Sequence, residues 1–211
     1  MSAHPTKTRE DLIDALEQLP DHMKAEIVGG AIVPMSPTGG KPCFASGLIL
    51  VALHDYARRT GRGRPLPNNA AFLVDLPNRA SFSPDVAFTV GQTLDQDFVR
   101  GAPLFAVEVR SKGDYGPQAE RAIRDKIADY FAAGTQVVWD VDVLRERVVR
   151  VYRASEPDHP TGKETKPRRS LPCRGGGWPS ARSCRTDFDG SRCTALGSGR
   201  CRFIQPEHEK N

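Results

Sequence analysis

Two stretches that read as buried strands, residues 82–90 and 104–110, each carry one acid: Asp85 directly after Pro84, and Glu108 between Val107 and Val109. An ionised carboxylate in such a run is costly unless it is paired or holds a cation. Any fold of this chain must therefore bring something positive to those strands. Lys126 is a candidate, because at about 100° per residue it falls within the helical arc of Ala119, Ile123, Ile127 and Tyr130 and so interrupts an apolar stripe. Two acids followed by such a lysine point to a metal-dependent hydrolase.

The rest of the pattern sets the fold class. Leu12, Ile13, Leu16 and Leu19 predict a helix over 8–19, with Thr8 as N-cap and Asp11 at its third position. Residues 26–33 read as a hairpin or bent strand around Gly29-Gly30. A second helix is expected over 44–59, with Leu48, Val51, Ala52 and Tyr56 on its packed stripe and Gly61 as C-cap. Strands follow at 64–75, 82–90 and 103–110, then a helix at 116–133 and strands at 135–141 and 147–152. This order indicates an α/β fold: one domain, residues 1–153, with a mixed β-sheet flanked by helices.

Charge and composition change after that point. Lys/Arg and Asp/Glu balance at 19 each over residues 1–153, so the whole excess of +4 lies in 154–211. The pI is therefore no argument for nucleic-acid binding by the body. No valine follows Val151, and Arg, Gly, Pro, Ser and Cys accumulate, so residues 154–211 are expected to be a disordered tail. Cys173, Cys184, Cys193 and Cys201 lie in it without a Cys-x-x-Cys pair, which argues against a zinc site. The change of texture also fits translation in a shifted frame; an intact alternative frame beyond about codon 155 on resequencing would bear that out. No stretch approaches the roughly 20 apolar residues that cross a bilayer, so a cytoplasmic protein with no membrane partner is expected.

Strand alternation puts Glu108 and Arg110 on one face, and Asp85 on the face of Ala87 and Thr89. On neighbouring strands the two carboxylates would converge, and at ~4 Å they would repel by roughly 4 kcal/mol at an effective dielectric near 20. A divalent cation removes that penalty, and oxygen-only ligation favours Mg²⁺ or Mn²⁺.

Taken in order, Ala25-Glu26-Ile27-Val28-Gly29-Gly30, Met35-Ser36-Pro37, Ser83-Pro84-Asp85-Val86, Val107-Glu108-Val109-Arg110, Lys126 with Tyr130, and Trp139-Asp140-Val141-Asp142 resemble the Uma-family restriction endonucleases. These are small bacterial members of the PD-(D/E)XK nuclease superfamily, and the resemblance spans about residues 20–153. It implies a restriction-endonuclease-like fold and Mg²⁺-dependent cleavage of DNA phosphodiester bonds. It also implies that Asp85 and Glu108 bind the metal, that Glu26 completes the site, and that Lys126 takes the catalytic lysine's role from the strand slot now held by Arg110. Lys41-Pro42-Cys43 stands where family members often carry a histidine.

Blander readings stand beside these. Asp85 after Pro84 also suits a strand-opening turn, Lys126 can snorkel to solvent, and Glu26 can be a solvated edge acid. Arg62 and Arg64, with Arg110, are candidate duplex-DNA contacts, while Arg58 and Arg59 also complement a helix C-terminus. The competing function is a catalytically inactive DNA- or partner-binding module of the same fold. A homodimer is expected in this class because duplex cleavage needs two cuts.

Overall fold

In the computed structural model, which describes residues 7–20 and 23–164, the chain opens with the capped helix its sequence predicts. In α1 (Arg9–Glu17) the Thr8 hydroxyl accepts from the Asp11 N–H at 3.1 Å, and the Asp11 carboxylate accepts from the Thr8 N–H at 2.8 Å. This reciprocal capping box satisfies two otherwise orphaned donors. β1 (Lys24–Val28) and β2 (Ala31–Met35) form an antiparallel hairpin closed by Gly29 and Gly30, at φ +57° and +73°. Two consecutive positive φ values are what a tight two-residue turn requires, and glycine supplies them without strain.

α2 (Gly40–Thr60) starts four residues earlier than expected, because Pro42 falls in the first turn, where its missing N–H costs nothing. Its packed face also differs from the expected one. Ala45, Ile49, Leu50 and Leu53 lie against the sheet, whereas Leu48, Val51 and Tyr56 are exposed. The helix is apolar on two sides, so periodicity alone could not say which faces inward.

The remaining elements are β3 (Arg64–Pro67), β4 (Phe72–Leu73), β5 (Ser81–Phe82), β6 (Val86–Thr89), β7 (Val99–Arg100), β8 (Phe105–Val109), α3 (Pro117–Ala132), β9 (Val137–Asp142), β10 (Val148–Arg153) and β11 (Glu156–Glu164). The strand expected over 64–75 is split into β3 and β4, since Pro67 cannot donate to a ladder and Asn69 turns the chain at φ +77°. The strand expected over 82–90 is split into β5 and β6 at Pro84.

Six strands form one mixed sheet in the order β11-β10-β9-β8-β6-β3, in which only β8 and β9 are parallel neighbours, joined through α3. Its faces are segregated by alternation. Ala87, Ala106 and Val138 pack beneath Ile127 and Tyr130 of α3. Val86, Val107, Val109 and Val141 face α2. A smaller sheet, β5-β4-β7, continues the core on the α3 side, where Phe82 stacks on Tyr130 at 4.0 Å between ring centroids.

The ordered body does not stop at 153. β11 pairs with β10, for example Arg150 with Gly162 and Val151 with Thr161. Its sequence, Glu-Pro-Asp-His-Pro-Thr-Gly-Lys-Glu, carries no strand pattern. As an edge strand it pairs on one side only and tolerates its prolines there. Residues 165–211, with the expected tail, its four cysteines and the frame question, lie outside the described residues. Among the described residues no helix is long and apolar enough to cross a membrane.

Candidate active site

The break at Pro84 leaves Asp85 at the mouth of β6, tied to β8 on both sides of Glu108. Its N–H donates to the Val107 carbonyl at 3.0 Å, and its Oδ2 accepts from the Val109 N–H at 2.8 Å. The aspartate side chain thus replaces backbone in the ladder. Glu108 projects to the α3 face, where its Oε1 accepts from the Tyr130 hydroxyl at 2.6 Å and meets Lys126 Nζ at 2.9 Å. Lys126 and Tyr130 are four residues apart, one helical turn, which is why both reach the same carboxylate. Lys126 Nζ also lies 2.9 Å from Glu26 Oε1. The ammonium is turned inward and bridges β1 to β8.

Two further cations complete the cluster, and neither was singled out by sequence. Arg79 donates from Nη1 to Glu26 Oε2 at 2.6 Å and from Nε to Asp129 Oδ2 at 2.8 Å. Lys24 Nζ lies 3.2 Å from Asp85 Oδ1, with both side chains largely buried. The Ser83 N–H donates to Glu26 Oε1 at 2.8 Å. Lys24 precedes Glu26 by two residues, the same face of a strand, and that spacing was its only sequence signal. Arg79 sits in a turn-like Pro-Asn-Arg stretch that carries none.

The electrostatics distinguish the acids. Burial would raise the Glu26 carboxyl, but Lys126 and Arg79 hold it below its ordinary value. For Glu108 burial prevails: with Glu26 and Asp85 repelling it, its carboxyl stays above the ordinary value despite Lys126. Burial opposes the charge on Lys126, yet Glu108 and Glu26 raise its affinity for the proton, so it is an ammonium throughout the neutral range. Tyr130 is pushed well up by burial and by Glu108 and stays a donor.

Residues 11–173 match the profile of Uma2, a family described as putative restriction endonuclease. The chain belongs to the Uma2 family. A crystal structure of a putative nuclease belonging to DUF820 from Anabaena variabilis shares the fold, with a TM-score of 0.54 and 18% identity over 72% of this chain and 82% of that one. No curated protein matches.

Within this Uma2 chain the three expected arginine contacts fare differently. Arg110 is buried, at 4% exposure. It donates to both Asp140 oxygens at 2.7 Å and to Glu120, with Nη2 at 3.0 Å from Oε2. Its donors are spent on joining β8 to β9 and to the first turn of α3, so it does not face a substrate. Arg62 and Arg64 are exposed. Arg64 pairs with Thr89, at the far end of β6 from Asp85, roughly 13 Å away at 3.3 Å per residue. It lines a cleft of about 280 Å³ with Gly61, Gly63, Thr89, Gly91 and Gln92. The fold does not bring it to the acids.

Among the described residues no three acids, histidines or cysteines are already spaced as a metal cage. The donor chemistry nonetheless suits a hard divalent cation, since Glu26, Asp85 and Glu108 offer only carboxylate oxygens. Both protein contacts to Glu108 go to Oε1, which leaves Oε2 for a cation. Lys24 and Lys126 presently neutralise the positions a cation would share.

Proposed function

We propose that this chain is a Mg²⁺- or Mn²⁺-dependent endonuclease that hydrolyses phosphodiester bonds of duplex DNA. The reading rests above all on Lys126, a buried ammonium held 2.9 Å from both Glu26 and Glu108 beside Asp85. A structural ion pair needs one partner. A lysine bridging two acids from different sheets, with a third acid adjacent, is the arrangement a phosphoryl-transfer site uses.

Asp85 and Glu108 would hold the cation, with Glu26 behind them. When bound there, Mg²⁺ supplies charge neutralisation and activation of water toward phosphorus. Lys126, charged at every neutral pH, orients the attacking water or takes up charge on the phosphoryl oxygens. Tyr130 fixes the Glu108 carboxylate by donating to Oε1. Arg79 fixes Glu26 and ties it to Asp129 of α3.

One observation favours the second reading, a catalytically inactive DNA- or partner-binding module. Asp85, Glu26 and Glu108 already have Lys24, Arg79 and Lys126 as cationic partners, so each acid is paired without metal. Plasmid nicking by the full chain separates the two. The nuclease requires Mg²⁺- or Mn²⁺-dependent nicking that is lost in Asp85→Ala, Glu108→Ala and Lys126→Ala. Nicking that survives in all three belongs to a contaminant, and DNA binding without metal binding in calorimetry supports the inactive module.

A further inference from the structure

Phe82 separates two buried serines that the fold treats differently. Ser81 Oγ accepts from the Ile27 N–H at 2.8 Å, and the buried threonines Thr89 and Thr135 donate to the carbonyls of Arg64 and Pro103 at 3.1 and 2.8 Å. Ser83, 2% exposed, is the exception. Its Oγ is the one buried side-chain nitrogen or oxygen among the described residues with no protein partner. Taking a hydroxyl out of water without a replacement hydrogen bond is costly, and a fold that retains such a group directs it at an ion, a water or a ligand. Alanine would serve the packing alone.

Ser83 stands at the acids. Its N–H donates to Glu26 Oε1 at 2.8 Å, the same oxygen that meets Lys126. Asp85 follows two residues later, past the buried Pro84, which has no N–H to offer a hydroxyl. Covalent geometry keeps a serine Oγ within roughly 4 Å of its own amide nitrogen, hence here within about 7 Å of Glu26 Oε1. A bridge from carboxylate to divalent cation to bound water to hydroxyl spans up to about 7 Å. The donor chemistry agrees. Lys24, Lys126 and Arg79 can only donate, and Tyr130 already donates to Glu108, so Ser83 Oγ adds an acceptor that carries no charge.

We propose that the Ser83 hydroxyl is a fourth oxygen group of the cation site, accepting a hydrogen bond from water carried by a divalent cation that the acids hold. This role rests on the metal-dependent reading above.

Calorimetry with Mn²⁺ alone and urea unfolding in EDTA, both on the full chain, test it. Ser83→Ala should bind Mn²⁺ about tenfold more weakly than the wild type. Its metal-free urea midpoint should equal or exceed that of the wild type, because no hydrogen bond within the fold is lost. Ser81→Ala, which removes the acceptor of the Ile27 N–H, should do the reverse, with a lower midpoint and an Mn²⁺ affinity within about twofold. Equal Mn²⁺ affinity of Ser83→Ala and the wild type overturns the assignment, leaving the hydroxyl to an adventitious water, while persisting Mn²⁺-dependent nicking keeps the nuclease reading. A lowered midpoint in Ser83→Ala, or equal weakening of Mn²⁺ binding by Ser81→Ala, overturns it as well, since the hydroxyl then serves the fold. A wild type that binds no Mn²⁺ removes both readings. One that binds Mn²⁺ through Ser83 and does not nick removes the nuclease reading alone.

Discussion

Lys126 is the side chain on which the centre of this protein turns. Removing it leaves Glu26 and Glu108 facing each other in a buried setting, and breaking a buried ion pair from one side costs about 3–5 kcal/mol. Lys126→Ala should lower urea-unfolding stability by roughly that amount, and paired substitution with Glu26→Gln should recover part of it. A loss below about 1 kcal/mol would mean that the ammonium is solvated and not a bridge. Lys24 offers a second residue-level test. Its ammonium holds Asp85 Oδ1 at 3.2 Å, so under the proposed function a cation would have to displace it. Lys24→Gln should bind Mn²⁺ about tenfold or more tightly in calorimetry, and Lys24→Arg should behave like the wild type. Equal affinities would show that Asp85 is not a ligand.

At the scale of elements, the turns and caps decide stability more than their size suggests. Asp142 closes the β9–β10 turn by accepting from the N–H groups of Leu144 and Arg145 and from the Tyr115 hydroxyl. Burial would raise its carboxyl, but the Arg145 N–H, Tyr115 and the neighbouring amides hold it below the ordinary value. A depressed folded-state value means stability that is complete above the unfolded-state value and is lost as pH falls through the folded one. Glu26 acts with the same sign, whereas Glu108, raised, favours the fold below its unfolded value and loses that contribution as pH rises. Those two oppose each other, while Asp142 contributes to the acid limb together with Glu120, held below its ordinary value by Arg110, and Asp11, held down by the Thr8 cap. In Asp142→Asn the fall of Tm below pH 4 should be visibly shallower; an unchanged slope would place the titration elsewhere. Gly63 is a second element-level case. At φ +66° an added Cβ would collide with the Phe88 ring and the Thr89 carbonyl, so Gly63→Ala should cost about 2–4 kcal/mol in chemical denaturation.

For the whole molecule the sheet edge matters most. A cut after residue 153, where composition changes, would remove β11 and expose the ladder of β10. Such an edge promotes aggregation. A chain ending at 153 should melt lower than one ending at 164, or precipitate, in a thermal scan. Equal behaviour of the two would show that β11 contributes nothing to the fold.

Much of this protein was legible before any coordinates. The mixed α/β fold followed from element order, the α1 cap from Thr8 and Asp11, and the need of Asp85, Glu108 and Lys126 for charged partners from charges placed where burial makes charge costly. The cap and the charged positions are local, and each rests on a pattern within some 15 residues. What sequence could not decide depends on partners distant in the chain. Lys24 and Arg79 gain meaning only where β1 meets β6 and α3, and Arg110 turns inward because Asp140 and Glu120 lie across β9 and α3. The choice between the two apolar sides of α2 was likewise made by the sheet, whose Val86, Val107 and Val109 pair with one of them. Local pattern determines which groups must be satisfied; three-dimensional packing alone determines which groups satisfy them.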